Sequence, residues 1–325
     1  MAKARGLETK LARLRAIGKE DAAPGHLAEL RGFLGDKSNI VVAEAAEIVG
    51  GRMLADFAPD LVGAFQRFMI DPVETDMLCR AKIAIMESLN KIEYDDDATF
   101  LTGFRHVQPE PGWGGSSDTA APLRGASAFG LVRIHHRGVV LLLAELLADP
   151  EKIARQNAAQ ALGAVGSEAA IALLRFKAKA GDKDPEVIGD CLTALMTAEP
   201  KESLAFVAKF LDSRAEGIAE GAALALAESR RPEAFEILKK HWPSVREESL
   251  QNVLLLGISI TRLPPAIDFL LEILAGKDEA AAAGALSALA IHKHNPVVKE
   301  RIAAVVKKQN LRVLQEGFSR SFGGT

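Results

Sequence analysis

Apolar residues recur at helical spacing along almost the whole chain, grouped in pairs of short segments divided by polar turns. Residues 139–166 show the unit: VVLLLAELLA, a turn at Asp149-Pro150, then a second segment closing on Gly163 and Gly166. From residue 168 it returns as EAAIALLRFKAKA, Asp184-Pro185 and another helical segment, and it comes back from 202 and from 266. Residues 233–260 fit less well, with Trp242-Pro243 between their segments. Aligning the apolar position near the end of each second segment gives Val49, Leu89, Leu131, Leu162, Leu195, Leu226, Leu256 and Leu289, in steps of 40, 42, 31, 33, 31, 30 and 33. Phe129 competes with Leu131 for the third place. A period of roughly 30–40 residues with two helices per unit predicts an all-α fold, an α-solenoid of about eight two-helix repeats. One amphipathic hairpin cannot bury its own apolar face, so each must stack on the next.

The turns agree with this. Asp before Pro supplies an N-cap acceptor and then a residue preset for a first helical turn. The pair occurs at Asp71-Pro72, Asp149-Pro150 and Asp184-Pro185, while Asp36, Asp212 and Asp278 hold the equivalent place without Pro. The phrase DPEKIARQNAAQALGAVG resembles the second half of a HEAT repeat, with Arg155, Ala158, Ala159, Leu162 and Gly163 on its pattern. That resemblance implies a HEAT-like solenoid over residues 21–292 and leaves function open. Such proteins act as scaffolds, peptide or protein binders, chromophore lyases and DNA glycosylases. A basic helix is expected over residues 1–20. Residues 293–325 read as a capping helix at 297–309 followed by a frayed tail from 317.

Composition narrows the classes. Fifty-four Ala against 14 Phe, 2 Trp and 1 Tyr means a core of small aliphatic residues. Two cysteines, Cys79 and Cys191, exclude a disulfide framework and a multi-cysteine zinc site. No secretory leader is legible, which together with two unpaired thiols leads to an expectation of a cytoplasmic protein. The net charge of −3 splits into +5 over residues 1–19, +5 over 293–325 and −13 between them. The acidic centre argues against nucleic acid as the partner, while the basic ends could touch something acidic, such as another copy's middle, a nucleic acid or a membrane surface.

The repeat breaks at residues 104–124, FRHVQPEPGWGGSSDTAAPLR. Pro109, Pro111, Gly112, Gly114 and Gly115 cannot continue a helix, so a loop insertion is expected over 105–120, between the two helices of the third hairpin. Long loops inside compact repeats are often functional. This one holds one of the two tryptophans, Trp113, as a candidate partner anchor or, alternatively, as a plug between hairpins. Arg105 and His106 should end the helix before the loop. Asp118 lies in it, and Arg124 should sit one turn into the helix after it. Lys82, Arg124 and Arg155 fall at equivalent places in successive repeats. Such a ladder of cations could meet an acidic peptide or carboxylate, but pairing with the inter-helix Asp residues is the favoured reading.

No catalytic constellation is found. Adjacent His135-His136 diverge on a helix, the Asp95–Asp97 run reads as a helix cap, and the cysteines lack an adjacent base. GWGGSS is at most a weak anion nest. The expectation is therefore a non-enzymatic scaffold that uses its concave face and the 105–124 insertion to bind a protein or peptide. Its candidate residues are Arg105, His106, Trp113, Asp118, Arg124 and Arg155, with no cofactor and no metal. A HEAT-like nucleic-acid-binding or DNA glycosylase-like protein and a chromophore lyase-like protein are the alternatives.

Overall fold

The computed structural model describes residues 2–20, 24–112, 115–215 and 217–323, with side chains from residue 6 onward. The described residues are almost entirely helical, and their strands are Pro109–Gly112 and Gly115–Asp118. The chain divides into two compact units, Met1–Ala161 and Leu162–Thr325, and the boundary falls inside the helix Lys152–Val165.

In the first unit the N-terminal helix Ala2–Lys19 precedes the hairpins. Each hairpin pairs a first helix with a second: Pro24–Leu34 with Asn39–Gly51, Ala58–Phe68 with Arg80–Lys91, and Asp97–Phe104 with Ala121–Arg133. The second helices stack in sequence, Asn39–Gly51 on Arg80–Lys91 and that on Ala121–Arg133. Small residues allow the close approach: a Cβ on Gly50 would sit 2.8 Å from Ser88 Oγ, and one on Gly125 2.0 Å from Asn157 Nδ2. Ser88 Oγ also donates to the Ala46 carbonyl at 2.7 Å, linking the side chain of one stacked helix to the backbone of the other. Two cations of the basic first helix are used internally, Lys10 on Asp36 at 2.5 Å and Arg13 on Glu29 at 2.7 Å.

The second unit repeats the arrangement. Pro185–Ala198, Ile218–Glu228, Glu248–Ile260, Glu279–Leu289 and Arg312–Phe322 stack one on the next. Asp278 caps its helix by accepting from the Ala280 and Ala281 N–H groups at 3.0 and 3.1 Å.

Most of the aligned apolar positions are core. Val49, Leu89, Leu131, Leu162, Leu195, Leu226 and Leu289 are fully buried, and Leu131 wins over the part-exposed Phe129. Leu256 is part-exposed while Leu255 and Ile258 point inward, so the register slips in the unit that carries Trp242-Pro243.

The tail differs from expectation. Residues 312–322 form a helix after Pro296–Gln309, because Leu314 and Phe322 bury their side chains and Phe318 stacks on Phe322. Leu314, Phe318 and Phe322 recur every fourth residue, a helical stripe that the reading of a frayed tail from 317 cut in two.

Candidate functional site

The break in the repeat is a β-hairpin rather than an irregular loop. Pro109–Gly112 pairs antiparallel with Gly115–Asp118, with Pro109 opposite Asp118, Glu110 opposite Ser117, Pro111 opposite Ser116 and Gly112 opposite Gly115. Trp113 and Gly114 lie outside the described residues, so the role expected of Trp113 is left as a proposal.

Buried polar groups hold the base of the hairpin. The Glu110 carboxylate is 5% exposed, and its Oε1 accepts from the Leu78 N–H at 2.7 Å, Gln108 Nε2 at 2.7 Å and Thr119 Oγ1 at 2.7 Å. Gln108 Nε2 also donates to the Asp76 carbonyl at 2.8 Å, and its Oε1 lies 3.1 Å from His106 Nε2. Asp118 Oδ1 accepts from the Gln108 and Ala120 N–H groups at 2.8 and 3.0 Å. Desolvation pushes both carboxyls up, but their hydrogen bonds together outweigh it. Glu110 and Asp118 are each held below the ordinary carboxylate range. Burial lowers the His106 pKa, so the imidazole favours its neutral form.

The cation ladder is real, and it faces inward. Arg124 is 5% exposed. Its Nε and Nη2 grip Asp149 in bidentate fashion, both at 2.9 Å, while Nη1 donates to Asp118 Oδ2 at 2.6 Å and to the His106 carbonyl at 3.0 Å. One guanidinium thus joins the end of one helix, the foot of the hairpin and the next inter-helix turn. Burial opposes its charge, but the two carboxylates prevail and raise its pKa. Arg155, 3% exposed, donates from Nη1 to the Asp149 and Pro150 carbonyls at 2.8 Å each. Lys82 has no exposure, and its Nζ lies 3.1 Å from Asp76 Oδ2 and 3.2 Å from the Phe68 carbonyl.

Asp76 is the residue that sequence reading missed. Asp71 adopts a left-handed conformation without capping anything, and Pro72–Thr75 is an isolated turn. Asp76 does the expected work five residues later, accepting from the Ala81 and Lys82 N–H groups at 2.8 and 3.0 Å and from Asn39 Nδ2 at 3.1 Å. The signal available was Asp76 standing six residues before Lys82, the spacing of Asp118 to Arg124 and of Asp149 to Arg155.

Beside this network the surface is apolar and strained. Leu78 and Cys79 are consecutive non-glycine residues at φ 63° and 53°, a conformation that costs energy and clusters at functional sites. Met77 is 64% exposed, Leu78 55% and Val107 58%. Met77 and Leu78 adjoin the insertion through the Glu110 and Gln108 bonds, and Val107, Pro109 and Pro111 are exposed on the insertion itself. Arg105 is also exposed.

Other chemistry is quiet. Cys79 and Cys191 are buried, and burial pushes each thiol up to about 12. His136 Nδ1 lies 3.2 Å from Asp97. Among the described residues no group of three or more His, Cys, Asp or Glu is placed to hold a metal ion, and no helix is long and apolar enough to cross a membrane.

Stacked two-helix hairpins tied by an Asp–cation ladder define an all-α solenoid-type repeat protein. The family described as HEAT repeats matches residues 116–179, and the rest of the chain is similar to that segment in its stacked two-helix hairpins. Three solved structures are similar at 17% identity each. The complex of CpcE and CpcF of phycocyanin lyase from Nostoc has a TM-score of 0.39 and matches 76% of this chain and 91% of that one. Human deoxyhypusine hydroxylase in complex with glycerol has a TM-score of 0.31, with 79% and 98% covered. An engineered protein has a TM-score of 0.35, with 97% and 93% covered. Likeness at these scores says nothing about what this chain binds or does. Among curated proteins, none matches the sequence significantly.

Proposed function

We propose that the chain is a non-enzymatic scaffold that binds a protein or peptide partner on the platform formed by the 105–124 insertion and the adjoining turn at 76–79. The observation that carries this reading is the exposure of Met77, Leu78 and Val107 around a buried polar anchor. Exposed apolar side chains gathered in one place mark interaction sites, whereas scattered ones do not. The strained backbone at Leu78 and Cys79 supports the same reading.

The candidate residues then divide by role. Exposed Arg105 is a contact for the partner, and Trp113, which follows Gly112 in the sequence, is proposed as a second one. His106, Asp118, Arg124 and Arg155 position the platform from beneath. With Lys82, Arg124 and Arg155 buried against oxygen acceptors, a phosphate backbone gains little from them, which weighs against the nucleic-acid reading. In the second unit, the helices Glu248–Ile260 and Glu279–Leu289 line a shallow recess of about 440 Å³ with Asn252, Val253, Leu256, Ala283 and Ser287 among others.

The test is affinity capture from an extract of the source organism. Wild-type chain, the double variant Met77→Asp/Val107→Asp and a chain lacking residues 111–116 serve as baits. A partner retained by wild type and lost from both variants, each still melting normally, supports the platform. Equal capture by all three overturns it.

A further inference from the structure

The hairpin has two edges, and they are not equivalent. The Thr119 N–H donates to the Gln108 carbonyl at 3.0 Å, which makes 108 and 119 a hydrogen-bonded pair. Antiparallel pairs alternate between bonded and non-bonded. Glu110–Ser117 and Gly112–Gly115 are therefore bonded pairs, and Pro109–Asp118 and Pro111–Ser116 non-bonded ones. At non-bonded pairs the backbone groups point away from the partner strand. The outward positions of the first strand are thus both prolines, which have no N–H to offer. That edge is closed to strand addition. The outward positions of the second strand are Ser116 and Asp118, which keep theirs. Residues 115–117 are exposed, and among the described residues no backbone carbonyl accepts from the Ser116 or Asp118 N–H.

We infer that the outer edge of Gly115–Asp118 accepts an extended peptide segment of a partner protein as a third, added strand. The inference rests on the platform reading above and names its recognition mode. Main-chain hydrogen bonds to Ser116 and Asp118 supply the affinity. The edge suits a peptide better than a second copy of this chain. A four-residue strand spans about 13 Å, and two such edges back to back bury far less than the roughly 1,200 Å² that stable dimers start from. An extended peptide needs no such area, because it enters with its backbone donors and acceptors already aligned. The base of the hairpin is held by Glu110, Asp118 and Arg124, so the edge is presented without an ordering cost at binding.

A phage-displayed library of random twelve-residue peptides, panned against the full chain, supplies the probe. The best synthetic peptide is then measured by titration calorimetry against wild type, Ser116→Ala, Ser116→Pro and Met77→Asp/Val107→Asp. Proline at 116 removes the outward donor while leaving the hairpin's own bonds in place, and thermal melting confirms that each variant folds. The expected result is unchanged affinity for Ser116→Ala and a loss of roughly tenfold for Ser116→Pro, a factor that one lost hydrogen bond can supply. N-methylation along the peptide, which leaves the protein untouched, should weaken binding at alternate positions only. Peptides lost with Met77→Asp/Val107→Asp but indifferent to Ser116→Pro and to N-methylation overturn the added strand and leave the platform standing. Failure to recover any peptide, or a concentration-dependent dimer abolished by Ser116→Pro without peptide binding, overturns the inference.

Discussion

Two inter-helix turns in this chain do the same mechanical job at different lengths. Between Glu168–Ala180 and Pro185–Ala198 the turn is four residues long. Its Asp182, almost fully buried, accepts from the Asp184 N–H at 2.9 Å and pairs with Lys177 at 2.7 Å. Between Asp97–Phe104 and Ala121–Arg133 the turn runs from 105 to 120, and Asp118 plays the same part with Arg124. A carboxylate within reach of a cation is common to both. What the long turn adds is an exposed hairpin standing on three further buried bonds to Glu110. Closing the repeat does not require the hairpin, yet the fold spends a buried carboxylate on holding it still.

The contrast can be broken first at Arg124. Arg124→Leu leaves Asp118 and Asp149 buried without their cation, and the expected loss is about 3–5 kcal/mol. Urea unfolding should show it, with hydrogen exchange accelerating over residues 97–133. A loss below about 1 kcal/mol would mean that water replaces the guanidinium.

Glu110→Gln comes next, at about 1–3 kcal/mol, since one carboxylate oxygen serves three donors. Its pH dependence has a definite sign. The folded pKa lies below the ordinary carboxylate value, so the contribution is full above that ordinary value and fades as pH falls through the lowered one. Wild type and Glu110→Gln should therefore differ most near neutrality and converge in acid. A gap that widens in acid contradicts the assignment.

Asp182→Ala tests the short turn at about 1 kcal/mol, because its partner Lys177 stays part-exposed and can be rehydrated. The smallest effect on stability belongs to the hairpin tip. Replacing residues 111–116 by Asn-Gly keeps Glu110 and Ser117 paired through a two-residue turn, and the unfolding free energy should change by no more than about 0.5 kcal/mol. Peptide binding should disappear in the same variant. A large destabilisation would make the hairpin a structural plug.

Periodicity exposed the hairpins, their spacing and most of the core, because burying one face of a helix forces apolar residues to recur at 3.6. It also exposed where the repeat breaks, since Pro and Gly cannot be read as helix. It failed in three particular places. Asp71-Pro72 has a cap signature, but the left-handed Asp71 caps nothing and Asp76 takes the role. Residues 312–322 carry a stripe of Leu314, Phe318 and Phe322 at every fourth position, but a tail read as frayed from 317 divides it. Residues 109–118 show no alternation of apolar and polar side chains, so a strand reading had no support, although the prolines fit its non-bonded positions.

By itself the sequence determined the repeat, the helical class and the site of the interruption. These depend on local propensity and on the recurrence of apolar side chains, which one dimension can display. The sequence favoured inter-helix Asp residues as partners for the cation ladder; tertiary structure decided which carboxylates and carbonyls each cation meets. Arg124 could have faced solvent at the same sequence position; it is turned inward because Asp149, 25 residues away, is brought within 2.9 Å when the next hairpin stacks. Met77 and Val107 become one platform only because Glu110 reaches 32 residues back to the Leu78 N–H. Pairings over such separations are set by packing; a local pattern can name the kind of partner but not the particular one.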